Sequence, residues 1–180
     1  MSIGRTIEES FLKAIRSLEI GLCHLHNRKF DTTDEAELLD YIKIGTDDRI
    51  YAIAELLRRG CDVGRIVSAT AIDMLFINKL KNIVDEEKAI KNGKGDIDVL
   101  RHAKKMGFSD KVIAQIWNMS EYDLYTLRRE AGIIPVYKMI DTCASEFDSY
   151  IPYFYSTYED ENESVVSDKK KVIVLGSGPI

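Results

Sequence analysis

Residues 1–132 contain no proline; Pro135, Pro152 and Pro179 all fall in the last 48 positions of the 180-residue chain. With no pyrrolidine ring to break an intrahelical ladder, the first three quarters can run helix after helix. Cysteine is scarce as well. Cys23, Cys61 and Cys143 are odd in number, far apart and form no C-x-x-C pair. That excludes a disulfide framework and a zinc ribbon, and reads as reduced thiols in a cytoplasmic protein. No apolar run approaches the roughly 20 residues of a membrane span, and the first residues lack the apolar region of a signal peptide. Positive charge is not in excess: 25 Lys and Arg stand against 30 Asp and Glu, for a net charge of −5. Such a surface repels phosphate backbones, so neither nucleic acid nor membrane is expected as a partner. What remains, 45% hydrophobic and 31% charged residues, is the composition of a soluble globular protein. A chain of this length buries roughly 70% of its unfolded surface and needs no metal to hold it.

The spacing predicts an all-α fold of two small helical bundles in sequence. A first helix opens at Thr6 with a capping box closed by Glu9, and Phe11, Leu12, Ile15, Leu18 and Leu22 form its apolar stripe. Segment 23–31 is aperiodic and reads as a loop. A second helix begins at 32–35, turns Leu38, Leu39 and Ile42 inward and stops at Gly45. A third runs from Thr46 to Gly60 with Ile50, Ile53, Ala54 and Leu57 inward. Asp62 caps a short turn, and a longer helix covers 70–90 with Ile72, Leu75, Phe76, Leu80 and Ile83 inward. After the Gly-rich break at 91–95 come three short helices, 96–106, 109–118 and 120–131, sharing Ile113, Ile116, Trp117, Leu124 and Leu127. The expected division is 1–90, a first helical subdomain, and 91–132, a second.

Residues 133–170 read as an extended aromatic linker whose acidic end, 159–168, is solvated. Residues 171–180 read as one strand, 171–175, running into Gly176-Ser177-Gly178-Pro179, the opening of an α/β unit. One strand makes no domain, so the chain is expected to be part of a longer polypeptide.

The candidate chemistry is thin. Cys23, His24 and His26 carry metal-capable atoms, yet helical neighbours two apart diverge and no second ligand pair follows. His102, beside Arg101 and Lys104, reads as solvent-facing. Arg49, Arg58, Arg59 and Arg65 form a basic cluster better explained by helix dipoles than by a phosphate clamp. Residues 109–132 resemble a helix-turn-helix, but the second helix would present Glu121 and Asp123 where a DNA reader needs cations. Gly176 and Gly178 lack the third glycine and the following helix of a phosphate loop. No catalytic, cofactor-binding or metal-binding residue is therefore assigned.

Several blocks resemble the carbamoyl-phosphate synthetase large subunit. They are Ser2-Ile3-Gly4-Arg5-Thr6-Ile7-Glu8-Glu9-Ser10; Thr70-Ala71-Ile72-Asp73 with Phe76; Gly107-Phe108-Ser109-Asp110; Pro135-Val136-Tyr137-Lys138; Asp141-Thr142-Cys143-Ala144-Ser145-Glu146-Phe147; Tyr153-Phe154-Tyr155-Ser156-Thr157-Tyr158-Glu159; and Leu175-Gly176-Ser177-Gly178-Pro179. They keep the family's order, and only 21–45 and 85–97 are uninformative. Leu75 departs from the family's usual tryptophan and Ser145 from its alanine. The resemblance implies the helical oligomerisation domain lying between two ATP-grasp halves of an ATP-dependent ligase. That parent makes carbamoyl phosphate from bicarbonate, glutamine-derived ammonia and two ATP, for pyrimidine and arginine biosynthesis. ATP and Mg²⁺ would bind in the flanking halves and none in this chain, which is expected to be inactive alone. Its implied partners are a second copy of itself, those halves and a glutaminase. The alternative is a free-standing helix-turn-helix-like DNA-binding or adaptor domain, which leaves the terminal strand unexplained.

Overall fold

The computed structural model describes residues 1–143, 146, 147, 153–174 and 176. Among them lie eight α-helices and two short strands. The helices are α1 (Ile7–Ser17), α2 (Glu35–Tyr41), α3 (Arg49–Arg58), α4 (Val63–Thr70), α5 (Met74–Asn92), α6 (Ile97–Lys105), α7 (Asp110–Trp117) and α8 (Glu121–Glu130), with a 3₁₀ turn at Arg28–Phe30. The largely helical class expected from the sequence is the one observed.

Short polar side chains set the starts. Thr6, Asp34, Asp62, Asp73, Asp96, Ser109 and Ser120 each accept a backbone N–H from the first turn of the helix they precede, satisfying amides that no intrahelical carbonyl reaches. At α1 the reciprocal bond differs from the expected box: Glu9 Oε2 accepts from the N–H of Arg5 at 2.6 Å, one residue before the cap. The first helix also stops earlier than its apolar stripe suggests. Glu19 takes φ 54° and Gly21 φ 80°, so the chain turns away, leaving Leu18 exposed and Leu22 in the following loop. The third helix begins at Arg49 rather than Thr46, after Asp48, which makes no side-chain cap.

The expected helix over 70–90 is in fact two pieces of chain. Asp62 caps a full helix, α4, which ends when Ala71 adopts φ 55°; α5 then starts afresh at Met74 under its own cap, Asp73. Ile77, Leu80, Ile83, Val84 and Ile90 carry its inward face. Leu75 and Phe76, expected inside, lie in the overhanging first turn and are about half exposed, at 54% and 53%.

Helix α5 is the spine. It packs against α1, α3 and α4 on one side of the sequence break and against α6 and α7 on the other. Leu12, Ile53, Ile66, Ile83, Ile90, Leu100, Ile113, Trp117 and Leu124 belong to one continuous buried cluster. Trp117 fixes the crossing by donating Nε1–H to the carbonyl of Ile90 at 2.7 Å, so packing continues past 91–95.

Two stretches of the aromatic segment pair as strands. Strands β1 (Val136–Met139) and β2 (Phe154–Thr157) pair antiparallel, with Val136 opposite Thr157 and Met139 opposite Phe154. The acidic stretch, expected to be solvated, folds back along β1 in part: Tyr137 N–H donates to Asn162 Oδ1 at 2.9 Å, and Glu163 N–H donates to Tyr137 O at 2.8 Å. Residues 171–174 are exposed and lie in no strand. Ala144, Ser145, Leu175, Ser177, Gly178 and Pro179, which carry parts of the expected strand, loop and sequence blocks, lie outside the described residues.

Candidate functional site

The metal-capable residues of the 23–26 segment are sent to separate tasks. The His24 ring stacks at a tilt on Phe108, with centroids 5.1 Å apart, and its Nε2 lies 2.5 Å from Glu87 Oε1. The His26 Nε2 lies 2.8 Å from Asp31 Oδ1, and Cys23 is a free, half-buried thiol. Among the described residues no three His, Cys, Asp or Glu side chains converge. The His102 ring is largely exposed, with Nδ1 2.9 Å from Glu86 Oε2.

Three of the four arginines are spent on the protein itself. Arg58 donates Nε and a terminal nitrogen to the two oxygens of Glu87, each at 2.7 Å, and also reaches Glu55 and the carbonyl of Leu25. Burial alone would raise the Glu87 carboxyl; the hydrogen bonds from Arg58 and His24 outweigh it and hold Glu87 at about 2. Arg59 bridges Glu55 at 2.8 Å and the carbonyls of Phe30 and Thr33. Arg65 pairs with Glu35 at 2.7 Å. Arg58 and Arg59 brace α3 against α5 and the 23–33 segment, and Arg65 ties α4 to α2.

The helix-turn-helix likeness resolves into a hairpin of α7 and α8, turned by Asn118 at φ 52°. Its base is ionic. Asp110 accepts from Lys104 Nζ and from Arg128 Nε, both at 2.7 Å. Burial pushes the Asp110 carboxyl up, but the two cations bring it below the usual carboxylate range; Lys104 is lowered by its own burial, against the pull of Asp110. The exposed start of α8 presents Glu121 and Asp123, a poor surface for phosphates. Gly176 lies in no regular element.

The most unusual surface was hidden from sequence periodicity. Met74, Leu75 and Phe76, consecutive in the first turn of α5, are each a little over half exposed. Phe76 lines a groove of about 350 Å³ between α1, α3 and α5, floored by Phe11, Ile50, Ile53, Ile72, Leu80 and Ile83; Met74 and Leu75 precede it in the same turn. Ile7, 43% exposed, lies at its edge. Asp47, Arg49 and the Glu8–Lys79 pair (3.2 Å) form a charged rim. Burial would raise Glu8, but Asn82, its own backbone N–H and Lys79 bring it below the ordinary glutamate value. An apolar groove with a charged rim and no cover among the described residues is the arrangement of a contact surface. The signal that could have found it is the Asp73 cap: a helix start at Met74 places three large apolar residues in a turn with no preceding turn to lie on.

A family model described as the carbamoyl-phosphate synthetase large chain, oligomerisation domain, matches residues 1–132. The match takes in every helix, from the Thr6 cap to the glycine stop at Gly132.

Proposed function

The chain belongs to the family of carbamoyl-phosphate synthetase large chain oligomerisation domains, and from that membership we propose that it is a non-catalytic assembly module whose α5 groove receives a second copy. The carrying observation is Phe76, half exposed and lining that groove, with Met74 and Leu75 exposed in the same helical turn. A knob beside its own hollow is self-complementary: under two-fold symmetry each copy offers the triplet to the groove of the other. Six half-exposed side chains, at about 1 kcal/mol each, give about 6 kcal/mol gross. Association costs about 4–15 kcal/mol, so the groove lining and rim must add to that gain, and weak association is expected for this chain by itself.

In this reading the chemistry belongs to a parent ligase of the cytoplasm. It would join bicarbonate, ammonia from a glutaminase and two ATP into carbamoyl phosphate, feeding pyrimidine and arginine biosynthesis. In this reading ATP and Mg²⁺ bind in the flanking ATP-grasp halves. Sedimentation tests the assembly role. The wild-type mass is expected to rise with concentration up to about 1 mM, where a gain of about 4 kcal/mol becomes visible. Phe76→Glu is expected to hold the chain monomeric with its helicity intact. A monomer throughout, or a Phe76→Glu variant that associates as well as wild type, would refute the assigned surface.

A further inference from the structure

Lys13 occupies an unusual junction. From α1 its ammonium donates to the carbonyl of Ile3 at 3.0 Å and to the carbonyl of Ser156 at 2.5 Å, and it pairs with Glu9 Oε1 at 2.8 Å. Those contacts use all three ammonium donors. Ile3 precedes α1, whereas Ser156 lies in β2, 143 positions after Lys13. The Tyr155 ring adds a face 5.6 Å from the same nitrogen. Glu9 is 1% exposed, and its second oxygen holds the N–H of Arg5. One ion pair, buried at Glu9 and partly exposed at Lys13, thus grips the backbone before α1 at two points and the ribbon at a third.

The ribbon has a second foot. Arg128 donates to the carbonyl of Ile133, just before β1, at 3.0 Å. Just after β2, the Tyr158 ring lies over Lys104 at 4.8 Å and over Arg128 at 5.8 Å. The ribbon's two ends are therefore tied to one cationic seat. Around it sit Arg16 from α1, which donates to the carbonyl of Gly107, and Asp110 from α7.

We propose that the Lys13–Glu9 pair is a conformational staple: it makes the segment entering α1 and the ribbon that follows the helical body move as one piece, so that displacement of either is delivered to the other. Neither end has a covalent reason to sense its distant counterpart. The ammonium supplies one, because freeing either carbonyl requires breaking a charge-assisted bond and leaves Glu9, buried, with a weaker set of partners. The inference stands apart from the groove, since none of these side chains lines the hollow beside α5.

Amide hydrogen exchange on the 180-residue chain tests it. Lys13→Met keeps the side-chain bulk and removes all three contacts. It is expected to speed exchange about tenfold at Arg5 and in β1 and β2 together, leaving α3 and α5 unchanged. Lys13→Arg is expected to restore most of the protection. Tyr158→Leu frees only the ribbon's other foot, yet is expected to speed exchange at Arg5 as well. If Lys13→Met loosens one segment alone, or Tyr158→Leu leaves Arg5 at its wild-type rate, the two segments move independently and the staple is refuted. Should Lys13→Met unfold the helices, Tyr158→Leu in an Arg5→Met background, which removes the direct bond of the Arg5 guanidinium to Tyr155, decides: unchanged exchange at the residue-5 N–H refutes the staple.

Discussion

Neutralising Glu87 is expected to weaken the fold in a pH-dependent way. Its carboxylate on α5 receives two bonds from Arg58 on α3 and faces His24 from the loop after α1; Glu55 shares Arg58, and Lys111 of α7 lines the same cleft. The carboxyl sits at about 2 in place of 4.5. A shift of roughly 2.5 units, at 1.36 kcal/mol each, is worth about 3 kcal/mol. Because the folded value is depressed, that stability is complete above about pH 4.5 and drains as the pH falls toward 2. Glu87→Gln keeps the shape and removes the charge. Near pH 5.5 the variant is expected to be about 3 kcal/mol less stable in urea unfolding, followed by the fluorescence of Trp117, the single tryptophan. Near pH 3 the wild type has lost much of the same contribution, and the gap is expected to narrow to about 1 kcal/mol. A gap that stays constant between the two conditions would show that the charge of Glu87 does not brace the fold.

Two further substitutions probe the joints of the helical body. Gly107 holds φ 95°, and a Cβ there would stand 2.8 Å from the Cα of Glu9; Gly107→Ala is expected to cost more than about 2 kcal/mol, and a change under about 0.5 kcal/mol in urea unfolding would mean that α1 can retreat. Trp117→Phe strands the Ile90 carbonyl and leaves a void, for an expected loss of about 2–4 kcal/mol by circular dichroism melts; an unchanged midpoint would refute the role of that bond in joining α5 to α7.

Local signals carried the sequence reading a long way. Caps at Thr6, Asp62, Ser109 and Ser120, and stops at Gly60, Gly107 and Gly132, are short-range chemistry written in adjacent residues, and they lie where expected. The reading failed where the decisive contact is distant or the residue type argues the other way. Alanine favours helix, so nothing at Ala71 announces a left-handed turn that splits 63–92 into α4 and α5. The extended character of 133–137 was legible, but its pairing with 154–157 depends on anchors such as Lys13 and Tyr158, far from β1 in sequence. The apolar surface shared that fate: periodicity identified Leu75 and Phe76 as part of a stripe, and only the true start of α5 turned them outward.

Helix α5 also sets a timetable. A ribosome emits the chain in order, at roughly 5–20 residues per second. Ile53 therefore waits some 2–6 s for Val84, about 30 residues later, and longer for Trp117, before the body they share can close. During that interval α1 through α4 exist without the surface that later covers them. A nascent chain paused near Thr70 would be the species most exposed to chaperones and to mistaken partners, and the arrival of one nineteen-residue helix gives α1, α3 and α4 the surface they pack on.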